Sequence, residues 1–243
     1  MAPIHLYKFS SVSHHTYESI ALGKSWYSSP TKLNDPYDGQ LPVETTVSGP
    51  EEAFGLIAKL TEQITGWVGG KMKRLPEQGN FQEIFDDFAG EYLSSQTIPG
   101  ILSLTANPAH LLMWAHYADS HQGIALRYEF SEESVPNISP INYQDTLPTL
   151  HIRDYLALSD EVYLDRFLTK GSSWNYEQEW RGLSLENDSY YPQPGKLDAV
   201  IFGHRTPKST VAAFKTILSS DVSVLRAYPS TSSFDVSISR DMG

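Results

Sequence analysis

The sequence contains no cysteine among its 243 residues. Disulfide bonds, thiolate zinc sites and cysteine nucleophiles are therefore excluded. The eight histidines show neither an H-E-x-x-H pair nor another spacing typical of zinc ligands, so we expect no metal site. A nucleophile elbow of the G-x-S-x-G type is also missing, which argues against a serine hydrolase.

Positive charge and long apolar runs are also scarce. The chain has 18 Lys and Arg against 29 Asp and Glu, giving a net charge of −11. This balance disfavours non-specific binding to nucleic acids or anionic membranes, although a local basic groove remains open. No apolar stretch is long enough to span a bilayer, and the first residues lack the pattern of a signal peptide. We therefore expect a cytoplasmic protein without a membrane partner.

Aromatic residues are plentiful, at 12% of the chain, so burial can offset the entropy lost on folding. The hydrophobic pattern predicts strands and helices in mixed order, without a repeat or a dividing linker. Strands are predicted near 4–9, 101–105, 123–130, 138–143, 197–202, 222–227 and 234–239. We therefore predict a single α+β domain over residues 1–243, built around a strongly bent mixed or antiparallel sheet.

Two amphipathic helices are predicted within residues 50–95. The first covers about 51–66 and follows Pro50, a residue favoured at the first helical position. The second covers about 81–93 after Asn80, a typical N-cap residue. We interpret this part as a helical insertion that covers one side of the domain.

The segment K-G-S-S-W-N-Y-E-Q-E-W-R, from Lys170 to Arg181, is unusually dense in charged and aromatic groups. A strand is predicted from Trp174, which places Glu177, Glu179 and Arg181 on one face. Carboxylates two residues apart in a strand lie about 6–7 Å apart at Cα, so one raises the pKa of the other unless a cation such as Lys170 or Arg181 offsets it. The alternative is a half-buried scaffold strand with a solvated charged face.

Two other segments carry candidate groups. A helix predicted after Asn107 places Trp114 and Tyr117 on one face, which suits a planar ligand or simple packing on the sheet. The segment from Pro30 to Gly39 is rich in turn-forming residues. Its Asn34, Asp35 and Asp38 are possible ligands of a hard cation, but their spacing matches no calcium loop, and we favour a turn that positions Asn34 or Asp35.

Four motifs resemble a family of bacterial proteins known only as domain of unknown function 2971. They are L-Y-K-F at 6–9, S-S-P-T-K-L-N-D-P-Y-D at 28–38, S-L-T at 103–105 with M-W-A-H-Y-A-D-S-H-Q-G-I-A-L at 113–126, and the segment at 170–181. The resemblance identifies a family without assigning a function.

The layout also resembles ADP-ribosyltransferases, which carry a cation on an early strand, a serine/threonine strand and a late glutamate-x-glutamate motif. The resemblance implies Lys8 for the first, Ser103 and Thr105 for the second, and Glu177 and Glu179 for the third. The chain departs from that pattern in having lysine at the first position and Arg181 just after the motif.

This resemblance implies that the protein cleaves NAD and transfers ADP-ribose to an unknown protein acceptor. It also implies a setting of bacterial defence or conflict. Glu179 would stabilise the cationic ribose, and Glu177 would orient or deprotonate the nucleophile. Lys8 or Arg181 would hold the pyrophosphate. Trp114 or Tyr117 would stack on a ring of NAD.

The rival hypothesis is a non-catalytic module of a defence or stress system that binds a nucleotide or a peptide. In that case the aromatic side chains line the pocket and the charged groups only orient the ligand. A third possibility is that the segment is structural and any activity depends on a partner protein.

Overall fold

The computed structural model describes residues 4–63, 80–131, 138–156 and 160–241. The helices are α1 (His14–Leu22), α2 (Pro50–Gln63), α3 (Phe81–Ser95), α4 (Leu111–Tyr117), α5 (Ile152–Leu156), α6 (Asp160–Leu168) and α7 (Lys208–Ile217), with short 3-10 helices at Pro30–Lys32 and Ser172–Glu177. Within these described ranges, no helix is both long enough and apolar enough to cross a membrane.

The strands are β1 (Ile4–Ser10), β2 (Lys24–Tyr27), β3 (Val43–Glu44), β4 (Gly100–Thr105), β5 (Ile124–Phe130), β6 (Ile138–Pro140), β7 (Asn142–Gln144), β8 (Leu150–His151), β9 (Thr169–Gly171), β10 (Glu179–Ser184), β11 (Ser189–Pro192), β12 (Lys196–Phe202), β13 (Ser223–Pro229) and β14 (Val236–Arg240). Eight of them form one sheet in the order β14-β13-β12-β5-β1-β4-β10-β6. β12 and β13 pair in parallel, whereas β1 pairs antiparallel with both β4 and β5. The predicted α+β fold around a mixed sheet is therefore confirmed.

Successive side chains of a strand point to opposite sides of the sheet, and in the central strands both sides are buried. In β5, Leu126 and Tyr128 join a cluster that includes Phe214 of α7. Ala125 joins the cluster on the other face, where Trp114 of α4 lies edge-on to Phe9 with ring centroids 4.9 Å apart. Helices therefore cover the sheet on both sides.

The two helices predicted for residues 50–95 are present as α2 and α3, and the residues between them, 64–79, lie outside the described part. α2 and α3 share a hydrophobic cluster that is distinct from the two clusters on the sheet. α5 contributes Ile152 and Leu156 to this shared cluster. Leu60 and Phe85 in this cluster are fully buried. The division of residues 1–243 into one domain remains a prediction.

The strand predicted from Trp174 begins only at Glu179, so the predicted alternation of faces is wrong over 174–178. Ser172–Glu177 is a 3-10 helix, and Gln178 follows it with a left-handed backbone (φ 44°). The helix predicted after Asn107 also begins later, at Leu111. There the Asn107 side chain accepts a hydrogen bond from the amide of Ala109, which forms a turn instead of a helix cap.

Candidate functional site

Three neighbouring strands, β1, β4 and β10, bring the candidate residues together. In the sheet, Tyr7 lies opposite Thr105, and Thr105 lies opposite Glu179. Ser103 lies opposite Arg181. Residues directly opposite each other project to the same face, so the hydroxyls of β4 stand beside the charged groups of β10.

A cavity of about 120 Å³ lies at these strands. Six of the eight predicted site residues line it: Lys8, Ser103, Thr105, Tyr117, Glu177 and Glu179. Asn34, Asp38 and Lys170 line it as well. Trp114 does not line it, because its ring is buried in the core against Phe9 and its indole N–H donates to the carbonyl of Pro108. A stacking role for Trp114 is therefore not supported.

The 3-10 helix before β10 determines where Glu177 points. The Thr105 hydroxyl donates a hydrogen bond to the carbonyl of Glu177, and the amide of Ala106 donates to the carbonyl of Gln178. The end of β4 therefore holds the turn in place. As a result, Glu177 and Glu179 reach the same cavity although they do not belong to one strand.

Lys170 lies at the centre of a buried ion cluster. Its ammonium is 2.6 Å from Glu177 Oε2, 3.0 Å from Glu179 Oε2 and 3.6 Å from Asp38 Oδ2. The side chains of Lys170, Glu177 and Glu179 are only 3–4% exposed. The alternative of a solvated charged face is therefore wrong for this segment.

Arg181 completes the cluster from behind the cavity. Its Nε and Nη2 donate to the two oxygens of Glu179 at 2.8 and 3.0 Å. Nη2 lies 2.6 Å from Asp38 Oδ1, and Nη1 donates to the carbonyl of Phe167 at 2.7 Å. Because this guanidinium is 0% exposed and its donors are occupied, a role in binding pyrophosphate is not supported.

Asp38, Asn34 and Tyr143 are site residues for which the sequence predicted no role in the site. Asp38 was only part of a turn motif, and its partners lie more than 130 positions further along the chain, so local pattern gave no signal. Tyr143 accepts a hydrogen bond from the amide of Glu179 at 2.9 Å. Asn34 donates to the Tyr117 hydroxyl at 2.8 Å, and that hydroxyl donates to Glu177.

The two glutamates differ in their electrostatic surroundings. Burial on its own raises the pKa of Glu179, but the charges of Arg181 and Lys170 outweigh it and lower that pKa to about 2. For Glu177, burial outweighs the charge of Lys170 and the hydrogen bond from Tyr117, so its pKa is raised. Glu179 is therefore the firmly ionised member of the pair, and Glu177 is the one that accepts a proton more readily.

Lys8 borders the cavity but stands apart from the ion cluster, because it follows Tyr7 in β1 and its side chain projects to the face of the sheet opposite Thr105 and Glu179. Burial lowers the pKa of its ammonium, and the negative charge of Glu179 offsets this only in part. The cluster itself holds three carboxylates (Asp38, Glu177, Glu179) against two cations (Lys170, Arg181). The cavity therefore carries an excess of negative charge when Lys8 is neutral.

In the described part of the chain, two groups of possible metal ligands lie away from this cavity. One is His14, His15 and Glu18 on α1, and the other is His5, Glu129 and Asp198. In the second group, the guanidinium of Arg127 already holds both oxygens of Asp198 at 2.8 Å. Neither group lines the cavity that contains the glutamates.

Comparison with known proteins gives one match. Residues 113–182 match the model of a family described as Protein of unknown function (DUF2971). The matched range begins in α4 and ends in β10, so it includes Tyr117, Glu177 and Glu179 but not Lys8. No curated protein and no solved structure matches the chain. The similarity thus points to an uncharacterised family, and the resemblance to ADP-ribosyltransferases is not shown by any of these comparisons.

Replacing Lys170 by Met is expected to lower the free energy of unfolding by about 3–5 kcal/mol, because buried carboxylates lose their shared counter-charge. The matched control is Lys32→Met, which removes a 2.8 Å ion pair with Asp188 in which Lys32 is 61% exposed. That change should cost less than about 1 kcal/mol. Urea denaturation of both variants tests the difference, and equal effects would contradict the described cluster.

The pH dependence of stability should reveal the low pKa of Glu179. Because this pKa is lowered on folding, its contribution is fully present above the unfolded value of about 4.3 and is lost as the pH falls towards 2. The difference in unfolding free energy between the wild type and Glu179→Gln should therefore shrink between about pH 4.5 and pH 2. Denaturant titrations at several pH values measure it; a difference that stays constant would refute the assignment.

Proposed function

We propose that this protein is an ADP-ribosyltransferase-like enzyme that uses NAD as its substrate. The observation that carries the proposal is that the predicted residues of three strands line one cavity. They are Lys8 of β1, Ser103 and Thr105 of β4, Glu179 of β10, and Glu177 just before β10. The strands that carry these groups are neighbours in the sheet. Their order in space therefore agrees with the three-part layout that the sequence resembles.

Glu179 is the group proposed to act on the ribose. When the bond between ribose C1′ and the nicotinamide nitrogen breaks, its electron pair leaves with nicotinamide and positive charge develops on the ribose. A carboxylate that remains ionised and is fixed before the reaction stabilises this charge without reorganising. The low pKa and the two hydrogen bonds from Arg181 support this role for Glu179.

Glu177 is proposed to receive the proton of the incoming nucleophile, which is water or the acceptor group. Its raised pKa suits a general base better than the pKa of Glu179 does. The nucleophile bonds to ribose C1′, and its proton passes to the Glu177 carboxylate. Lys170 and Tyr117 keep that carboxylate oriented through their hydrogen bonds.

Lys8 and Tyr117 are the remaining contacts of the proposed substrate. Lys8 would neutralise a phosphate of NAD, and the Tyr117 ring would offer a planar face within the cavity. Trp114 and Arg181 make no contact with the substrate in this proposal, since neither lines the cavity. The acceptor of ADP-ribose is not specified by these residues.

A second candidate is a module that binds a nucleotide without cleaving it. The observation that favours it is that both carboxylates already have internal partners, Lys170 for Glu177 and Arg181 for Glu179. A neutralised carboxylate exerts less attraction on a developing cation than a free one does. A binding module leaves NAD intact, whereas the enzyme consumes it.

Incubation of the purified protein with NAD, followed by chromatography of free nicotinamide, tests the proposal. We expect release by the wild type and a loss of about 100-fold or more in Glu179→Gln, because a preorganised charge is removed from the reaction centre. Glu186→Gln is the matched control, since Glu186 is exposed and does not line the cavity. This control should retain the wild-type rate.

The Glu179→Gln variant also disturbs the ion cluster, so its rate is compared only under conditions where circular dichroism shows it folded. Tyr117→Phe provides a second variant outside the cluster of charges, and it should slow release by disorienting Glu177. If the wild type protects NAD from loss while binding it, the non-catalytic module is favoured. Release that is unchanged in both variants would contradict the proposed roles.

A further inference from the structure

A second cavity, of about 310 Å³, lies on the other side of β1 and is bounded by α1 and β2. This volume is at the lower end of the range of about 300–1,000 Å³ that is typical of ligand pockets. The described lining residues include Lys8, His15, Tyr128 and six serine or threonine side chains, but neither Asp nor Glu. Such a lining is unusual in a chain with a net charge of −11.

Two buried hydroxyls in this cavity lie close to each other but form no hydrogen bond of standard geometry with any described residue. They are Ser25 Oγ and Tyr128 OH, in residues that are 3% and 1% exposed. Buried polar atoms are nearly always hydrogen-bonded in native proteins, so an unpaired pair facing one cavity calls for an explanation. Burial also raises the pKa of Tyr128 to about 12, which keeps its hydroxyl protonated and available as a donor.

The amino terminus of α1 adds positive potential to the same cavity. Its N-cap residue, Ser13, lines the cavity and makes no side-chain capping hydrogen bond. The first turn of α1 contains no acidic residue that would balance the helix dipole. The amino end of a nine-residue helix is a favourable place for an anion when other donors converge on it.

Lys8 is the lysine that lines this cavity. It lines both cavities, and among the described residues it forms no ion pair of the kind that holds Lys170. α1 places two further titratable groups here: His15, which lines the cavity and whose Nδ1 is 2.5 Å from the Tyr190 hydroxyl, and Glu18, which accepts a hydrogen bond from that hydroxyl. Glu18 is thus engaged outside the cavity lining.

We propose that this second cavity binds a phosphate group, with Lys8, Ser25 and Tyr128 as donors at the amino end of α1. The site accounts for the unpaired hydroxyls, the uncapped helix and the absence of lining carboxylates together. It does not depend on cleavage of NAD at Glu179. The phosphate is either a free ion or part of a nucleotide, and both sources present the same oxygens to these donors.

Calorimetric titration of the full chain with inorganic phosphate, and separately with NAD, tests this site at constant ionic strength in chloride buffer. Tyr128→Phe and Ser25→Ala should each weaken binding by about tenfold, because each removes a donor to a charged acceptor. Tyr27→Phe is the matched control, since Tyr27 is also buried but does not line this cavity. It should bind as the wild type does.

The melting temperature without phosphate separates binding from folding. Tyr128→Phe should change it little, because in the free protein the hydroxyl loses only its contact with the neighbouring Ser25 hydroxyl. Binding of inorganic phosphate identifies a free-ion site, and binding of NAD alone, weakened by Tyr128→Phe, identifies a nucleotide phosphate. No binding of either at millimolar concentration, or equal binding by Tyr128→Phe and Tyr27→Phe, would overturn the proposal.

Discussion

Lys170 and Arg181 hold three carboxylates in the interior of the protein, and the geometry of the candidate site depends on this cluster. Removing a charge from water is costly, so buried ions are found with partners at short distance. Here the partners come from a turn near the amino terminus, from β9, from the 3-10 helix and from β10. The ion pairs join these separate elements. The cluster therefore fixes Glu177 at the cavity, although Glu177 lies before the first residue of β10.

Two cavities of opposite electrostatic character meet at Lys8. The first contains an excess of carboxylates over the two cations of the cluster, and the second has a lining of hydroxyls without a carboxylate among the described residues. A ligand that combines phosphate oxygens with a ribose that becomes cationic during reaction would complement both. Under the proposed function, Lys8 therefore links recognition of the phosphate to the chemistry at Glu179.

Much of the fold follows from the sequence, because hydrophobic period and turn residues are local signals. Helices α2 and α3 lie within residues 50–95 as predicted, and Ser103 and Thr105 lie on the strand predicted near 101–105. The strand predicted from Trp174 was wrong over 174–178, where a 3-10 helix brings Glu177 beside Lys170, a contact that the alternating pattern does not encode. Asp38 was missed for a related reason: its role is set by partners distant in sequence, which no local pattern encodes.

The most direct test of the account is a crystal structure of the protein with an NAD analogue whose bond between ribose and nicotinamide cannot be cleaved. We expect the ribose to lie within hydrogen-bond distance of the Glu179 carboxylate and a phosphate to lie within hydrogen-bond distance of the Lys8 ammonium. An analogue bound away from both residues, or a protein that binds none at millimolar concentration, would contradict it.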